Sequence, residues 1–169
     1  KQKLALSCAL IHRPTVLILD EPTTGVDAVS RQEFWQMLQR LRHEGITMLV
    51  STPYMDEARL CDRVALIQGG RILRTDTPQA IEKSYPHSLF SIRHERMYDL
   101  LNHLRSGNET HSVFAFGDSL HFATKDESTT REDIARRLAD IGFDNAVVEA
   151  VPAGIEDVFM ELMQVPADT

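Results

Sequence analysis

Cysteine is scarce in this chain: Cys8 and Cys61 are the two in 169 residues. They fall in separate predicted helices, which suits a reducing compartment better than a disulfide scaffold. No apolar run approaches the roughly 20 residues that carry a helix across a bilayer, and no signal-peptide pattern opens the sequence. Any membrane link is therefore expected through a partner or through a segment outside this sequence. Basic residues are outnumbered, 18 against 25 acidic, for a net charge of −7. Nucleic acid is not expected as a partner, because that binding needs a basic footprint. The phosphate-cradling pattern G-x-x-x-x-G-K-[ST] does not occur; Gly69-Gly70 lack its Lys-Ser/Thr continuation and read as a turn. The seven histidines show no ligand spacing. Cys8 and His12 on one helix make a poor two-ligand pair. His111 and His121, on adjacent predicted strands, are expected to face solvent.

What is present is concentrated between Val16 and Asp27, VLILDEPTTGVD. Apolar residues lead into an acidic pair, Asp20 and Glu21; a Pro-Thr-Thr-Gly turn follows, and Asp27 closes the segment. Such a run, bounded by turn residues, predicts a strand buried on both faces, as in a parallel sheet under helices. Acids at the carboxyl end of that strand lie where open α/β sheets bind ligands. One carboxylate there can hold Mg²⁺ and its neighbour can polarise a water. The bland alternative is a buried strand followed by a solvated acidic turn, with Asp27 as a plain helix N-cap.

Upstream, Leu4, Leu6, Ala9, Leu10 and Ile11 predict a mostly buried helix that Pro14 ends. Downstream, a helix runs from about Ala28 to His43 with Phe34, Leu38 and Leu41 on one face, and Gly45 stops it. Ile46 to Ser51 predicts a second buried strand, and Tyr54-Met55-Asp56-Glu57-Ala58 starts another helix. Val64 to Ile67 and Arg71 to Leu73 flank Gly69-Gly70 as a hairpin.

The segment Val16–Asp27, with the preceding helix and its short Arg13-Pro14 link, resembles the Walker B strand and D-loop of an ABC-type ATPase, and the order of elements that follows is similar to that family's. The resemblance implies an ATP-hydrolysing parent protein in which Asp20 holds Mg²⁺ through a water and Glu21 is the general base. Asp27 would reach across a head-to-tail dimer to the site of a second ABC ATPase domain. It also implies a transmembrane permease partner and a cytoplasmic place, peripheral on the inner face of the cell membrane. The sequence departs from the pattern at Pro53, where the family's switch histidine is expected. Proline offers neither a side-chain donor nor a backbone N–H. Two readings of Pro53 stand: a weakened, slower ATP site, or a residue that simply ends a strand and starts a helix. Without the phosphate-cradling pattern, the chain alone is not expected to bind ATP well or to hydrolyse it.

Beyond Pro78 the pattern changes. Gln79 to Ser84 predicts a short helix and Tyr85-Pro86-His87-Ser88 a linker. Then come a strand at Leu89–Ile92, a helix at Arg96–Arg105, strands at His111–Phe116 and Ser119–Thr124 around Gly117-Asp118, a helix at Thr130–Ile141 and a strand at Ala146–Val151. Thr130 with Asp133 has the form of a capping box. The order β-α-β-β-α-β predicts a split-βαβ, ferredoxin-like arrangement. The last helix, Gly154 to Met163, contains Ile155-Glu156-Asp157-Val158-Phe159, which resembles the closing segment of exporter-type bacterial ABC subunits of the drug-resistance class.

The fold is thus expected to be α/β: the carboxyl half of a P-loop ABC ATPase domain over residues 1–85, then a small ferredoxin-like α+β domain over 86–169. The function implied is that of an ATP-binding subunit of a bacterial ABC exporter. Two rivals stand beside it, a non-transport ABC ATPase of the DNA-repair type and a non-catalytic binding or dimerisation module.

Overall fold

A computed structural model describes residues 2–164. The chain folds as two compact units, Lys1–Asp62 and Arg63–Thr169. In the first, β1 (Val16–Asp20) pairs in parallel with β2 (Thr47–Ser51), and the register runs from Val16 opposite Thr47 to Asp20 opposite Ser51. The crossover between them is α2 (Ala28–His43), as parallel pairing requires. Phe34, Trp35, Leu38 and Leu41 form its buried stripe and pack with Leu17 of β1 and Leu6 of α1 (Gln2–Leu10). The short helix α3 (Met55–Ala58) follows β2.

Two burial expectations need correction. The strand β1 is covered on one face: Leu17 is buried, whereas Ile18 is 71% exposed, and Val16 and Leu49 of β2 are also exposed. Side chains alternate across a strand, and α1 and α2 pack against the same side of the pair. The helix α1 was expected to be mostly buried, but Leu4 is 70% exposed and Ile11 is exposed as well. Leu6 and Leu10, one turn apart, face the core; Leu4 and Ile11, two turns apart, lie on another stripe.

The second unit begins with the hairpin β3 (Val64–Gln68) and β4 (Arg71–Asp76). Its turn residues Gly69 and Gly70 have φ of +55° and +75°, the left-handed pair that a tight antiparallel turn demands. Thr77 caps α4 (Pro78–Lys83) by accepting a 3.2 Å hydrogen bond from the Ala80 N–H. The helix packs on β4 and on α7 (Ile155–Gln164). Those contacts place the hairpin and α4 with the second unit, so contacts divide the chain between Asp62 and Arg63, whereas the change in sequence pattern falls at 85/86.

Four antiparallel strands make the main sheet, in the order β6-β7-β5-β8: β5 is Leu89–Arg93, β6 Thr110–Phe116, β7 Ser119–Thr124 and β8 Val147–Ala150. Helices α5 (Met97–Ser106) and α6 (Arg131–Asp140) interrupt them in the sequence order β-α-β-β-α-β. Phe90, Ile92, Val113, Leu120 and Phe122 share a sheet face with Leu100 and Leu104 of α5 and Ile134 and Leu138 of α6. The capping box is present: Thr130 accepts from the Asp133 N–H at 3.2 Å, and Asp133 accepts from the Thr130 N–H at 3.2 Å. On the opposite face, His121 of β7 meets Asp157 of α7 at 2.6 Å. His111 meets Glu161 of α7 at 3.0 Å. Neither imidazole faces open solvent as expected, because α7 lies over them.

Leu100 is fully buried (0% exposed), and Tyr98 on the same helix is 76% exposed. Leu100→Ala should lower the unfolding free energy by about 2–5 kcal/mol, and Tyr98→Ala should change it by under about 0.5 kcal/mol. Urea unfolding of the two variants is the check; equal effects would contradict the packing described.

Candidate functional site

The carboxyl ends of β1 and β2 lie side by side because Asp20 pairs with Ser51 in the parallel register. Ser51 then fixes both acids. Its hydroxyl donates to Oδ1 of Asp20. The Glu21 N–H donates to the Ser51 carbonyl at 3.1 Å and to Ser51 Oγ at 3.0 Å. Glu21 has φ of +43°, a left-handed conformation that costs about 1–3 kcal/mol for a residue with a Cβ and persists where its surroundings over-determine it. Here the surroundings are the bonds to Ser51 and a tight turn, in which the Thr24 N–H donates to the Glu21 carbonyl at 3.2 Å. The Thr24 hydroxyl donates to Glu21 Oε2 at 3.0 Å, orienting the carboxylate. Both acids are exposed. Thr23, between them and Asp27, is buried with no hydrogen-bond partner for its hydroxyl among the described residues.

Asp27 sits at the start of α2 and caps it, accepting from the Ser30 N–H at 2.9 Å. That backbone bond and one from the Ser30 side chain hold its carboxyl below the ordinary aspartate range. The folded value lies below the unfolded one, so the cap is fully in place at neutral pH and is lost as pH falls through the depressed value. The N-cap role is thus observed directly.

Pro53 is exposed and lies two residues past Ser51, on the segment joining β2 to α3. It presents no donor. The residues around it are firmly held, and this network was not read from the sequence. Glu57 of α3 is 2% exposed. It accepts from the Thr52 hydroxyl at 2.6 Å, and Thr52 Oγ1 accepts from the Tyr54 N–H at 3.1 Å. Arg31, in the first turn of α2, approaches Glu57 at 3.8 Å and Asp56 at 3.3 Å. Its guanidinium also lies 4.7 Å from the centre of the Tyr54 ring. Arg31 and Glu57 lie 26 positions apart in the sequence, so no local spacing marks them as a pair. Register therefore brings Asp20, Glu21 and the start of the Pro53 segment to the carboxyl end of the strand pair, while Asp27 caps α2.

Arg31→Ala leaves the Glu57 carboxylate buried without its cation. Stability should fall by about 1–3 kcal/mol, and adding Glu57→Gln should restore part of the loss because Gln keeps an acceptor for Thr52. A double-mutant cycle in urea tests this; strictly additive losses would mean the two side chains do not interact.

No protein-family model matches the chain. Among curated proteins, the probable multidrug ABC transporter ATP-binding protein YbhF of Escherichia coli (strain K12) is 45% identical over 82 residues, 48% of this chain and 14% of that protein. The Nod factor export ATP-binding protein I of Rhizobium sp. (strain N33) is 33% identical over 164 residues, 96% of this chain and 51% of that protein. A solved structure of cbiO1 from Clostridium perfringens, part of the ABC transporter complex cbiONQ, is 33% identical. It covers 47% of this chain and 33% of that one, with a TM-score of 0.45. The chain thus spans at most about half the length of these curated relatives. It is similar, over nearly all of its residues in the second case, to ABC transporter ATP-binding proteins.

Proposed function

We propose that the chain is the carboxyl-side part of the ATP-binding subunit of a bacterial ABC exporter, whose parent protein couples ATP hydrolysis to transport through a membrane permease. The observation that carries this reading is the Asp20–Ser51 register, which sets an acid pair at the carboxyl ends of two parallel strands, where α/β sheets take their ligands. Asp20 and Glu21 are exposed oxygen donors, and Mg²⁺ prefers one or two carboxylates with waters completing its shell. When bound, Mg²⁺ would neutralise charge on the phosphates of ATP. The chain's own residues divide the work. Asp20, pinned by Ser51, would hold the ion through a water. Glu21, turned by its left-handed backbone and oriented by Thr24, would act as general base toward the attacking water. Asp27 would serve a second ATPase domain across a head-to-tail dimer while capping α2.

Residues 1–85 belong, on this reading, to the ATPase domain. The exposed apolar face of Val16, Ile18 and Leu49 is the face that the rest of that domain would cover, since parallel strands are normally covered on both sides. Residues 86–169 form a ferredoxin-like accessory lobe, supported by the strand order β6-β7-β5-β8. Among the described residues no helix is long and apolar enough to cross a membrane, so attachment to the inner face would run through the permease. A second reading, a non-catalytic module derived from such an ATPase, is favoured by Pro53, which supplies no imidazole where the family's switch histidine is expected.

Steady-state ATP turnover by the full-length parent separates these readings. Glu21→Gln should reduce kcat by about 10²-fold or more, and Pro53→His should raise it several-fold. Turnover unchanged by Pro53→His while Glu21→Gln abolishes it would show Pro53 to be a structural terminus. No effect of Glu21→Gln would sink the catalytic reading. The isolated chain should show no tight binding of Mg-ATP in a calorimetric titration.

A further inference from the structure

Three side chains that take no part in the acid-pair site converge in the second unit. His87 lies in the segment between α4 and β5, His111 on β6 and Glu161 on α7, and one ligand atom from each lies within 4.8 Å of the others. His111 Nε2 is 3.0 Å from both oxygens of Glu161, and His87 Nε2 is 3.8 Å from Glu161 Oε1. The two imidazole rings lie with centroids 3.8 Å apart. All three residues are half-buried, with side-chain exposures of 22%, 26% and 16%.

The backbone prepares this convergence. Thr110 pairs with Thr124 and Ser112 with Ala123, so His111 is the extra residue of a β-bulge, a device that re-aims a side chain out of the regular alternation. Here it aims His111 at α7. The Tyr85 ring meets the His87 ring edge-on at 5.9 Å. Glu161 follows from the docking of α7, which buries Ile155 and Val158.

We propose that His87, His111 and Glu161 are the protein ligands of a divalent transition-metal ion of the zinc class. Two imidazoles and a carboxylate suit zinc better than the oxygen-preferring Mg²⁺ or Ca²⁺. Ligand atoms about 2.1 Å from a tetrahedral ion stand roughly 3.4 Å apart, and the observed separations of 3.0 and 3.8 Å bracket that value. An ion there would take the place of the direct contacts that both imidazoles make with the one carboxylate. With three protein ligands, a tetrahedral ion would keep a fourth position for a water. The ion joins three segments distant in sequence and so clamps α7 to the sheet.

The test is a calorimetric titration of the metal-stripped 169-residue chain with Zn²⁺, repeated with Co²⁺ and read by its visible d–d absorption. One ion should bind per chain, with the intense band of a tetrahedral Co(II) centre. His87→Gln and His111→Gln should each weaken Zn²⁺ binding by at least about tenfold, and His12→Gln should leave it unchanged. Should a variant fail to fold by circular dichroism, imidazole ¹⁵N spectra of the unaltered chain decide: Zn²⁺ must shift His87 and His111. No binding, binding that the two glutamine variants do not weaken, or shifts confined to His12 or His121 would each overturn the proposal and leave the cluster a hydrogen-bonded brace.

Discussion

The first unit depends on a parallel pairing of two five-residue strands, β1 with β2. A parallel pair cannot close through a tight turn, so α2 must cross over between them, and its apolar stripe supplies the core that holds the pair together. The register then decides the chemistry. Because Asp20 falls opposite Ser51, one serine contributes a carbonyl and a hydroxyl to the acid pair. A slip of one residue would turn every β1 side chain to the other face, taking Leu17 out of the core and Asp20 away from Ser51 together. Packing and placement of the acids are therefore one constraint.

The same unit carries two unlike uses of charge. Asp20 and Glu21 remain in water, where a carboxylate costs little and stays available to a ligand. Glu57 is buried, and burial of a carboxylate is costly unless it is bonded and paired. Thr52 bonds one of its oxygens, and the Arg31 guanidinium lies 3.8 Å from the other, which has no hydrogen-bond partner among the described residues. The segment carrying Pro53 is thereby anchored on both sides, by Ser51 at the strand end and by Glu57 within α3. Proline removes a donor from this segment, but Thr52 and Tyr54 on either side of it keep their bonds.

Much of the architecture was legible because local rules and tertiary packing agree. Phe34, Leu38 and Leu41 recur at helical spacing and do face the core; Thr130 and Asp133 cap α6 as their spacing requires; the paired glycines turn β3 into β4. The acid pair could be read because an apolar run ending in two carboxylates is a contiguous string. What stayed hidden depends on pairing between distant residues. Nothing in the spelling of β2 marks Ser51 as the residue opposite Asp20, and nothing marks Glu57 as buried. Nothing local in the sequence marks the bulge that makes His111 an extra residue of its strand, nor the helix that covers it. One-sided burial of β1 was equally hidden, since apolar composition reports what a face tolerates and not what covers it.

The second unit shows how a small sheet can hold a helix on each side by different means. On one face α5 and α6 bury leucine, isoleucine and phenylalanine in a continuous cluster, where association is non-directional and scales with area. On the other, α7 brings Ile155 and Val158 into the packing but also sets Asp157 against His121 and Glu161 against His111. Asp157 is itself 4% exposed and accepts a 2.7 Å bond from the Gly154 N–H, so it starts its helix and fixes that helix to the sheet at once. Apolar contact alone would let a ten-residue helix slide or rotate at little cost. Directional bonds at two successive turns forbid both motions, because sliding by one residue would strand a buried carboxylate without its partner. The polar contacts under α7 thus select one placement, and the apolar ones make that placement stable.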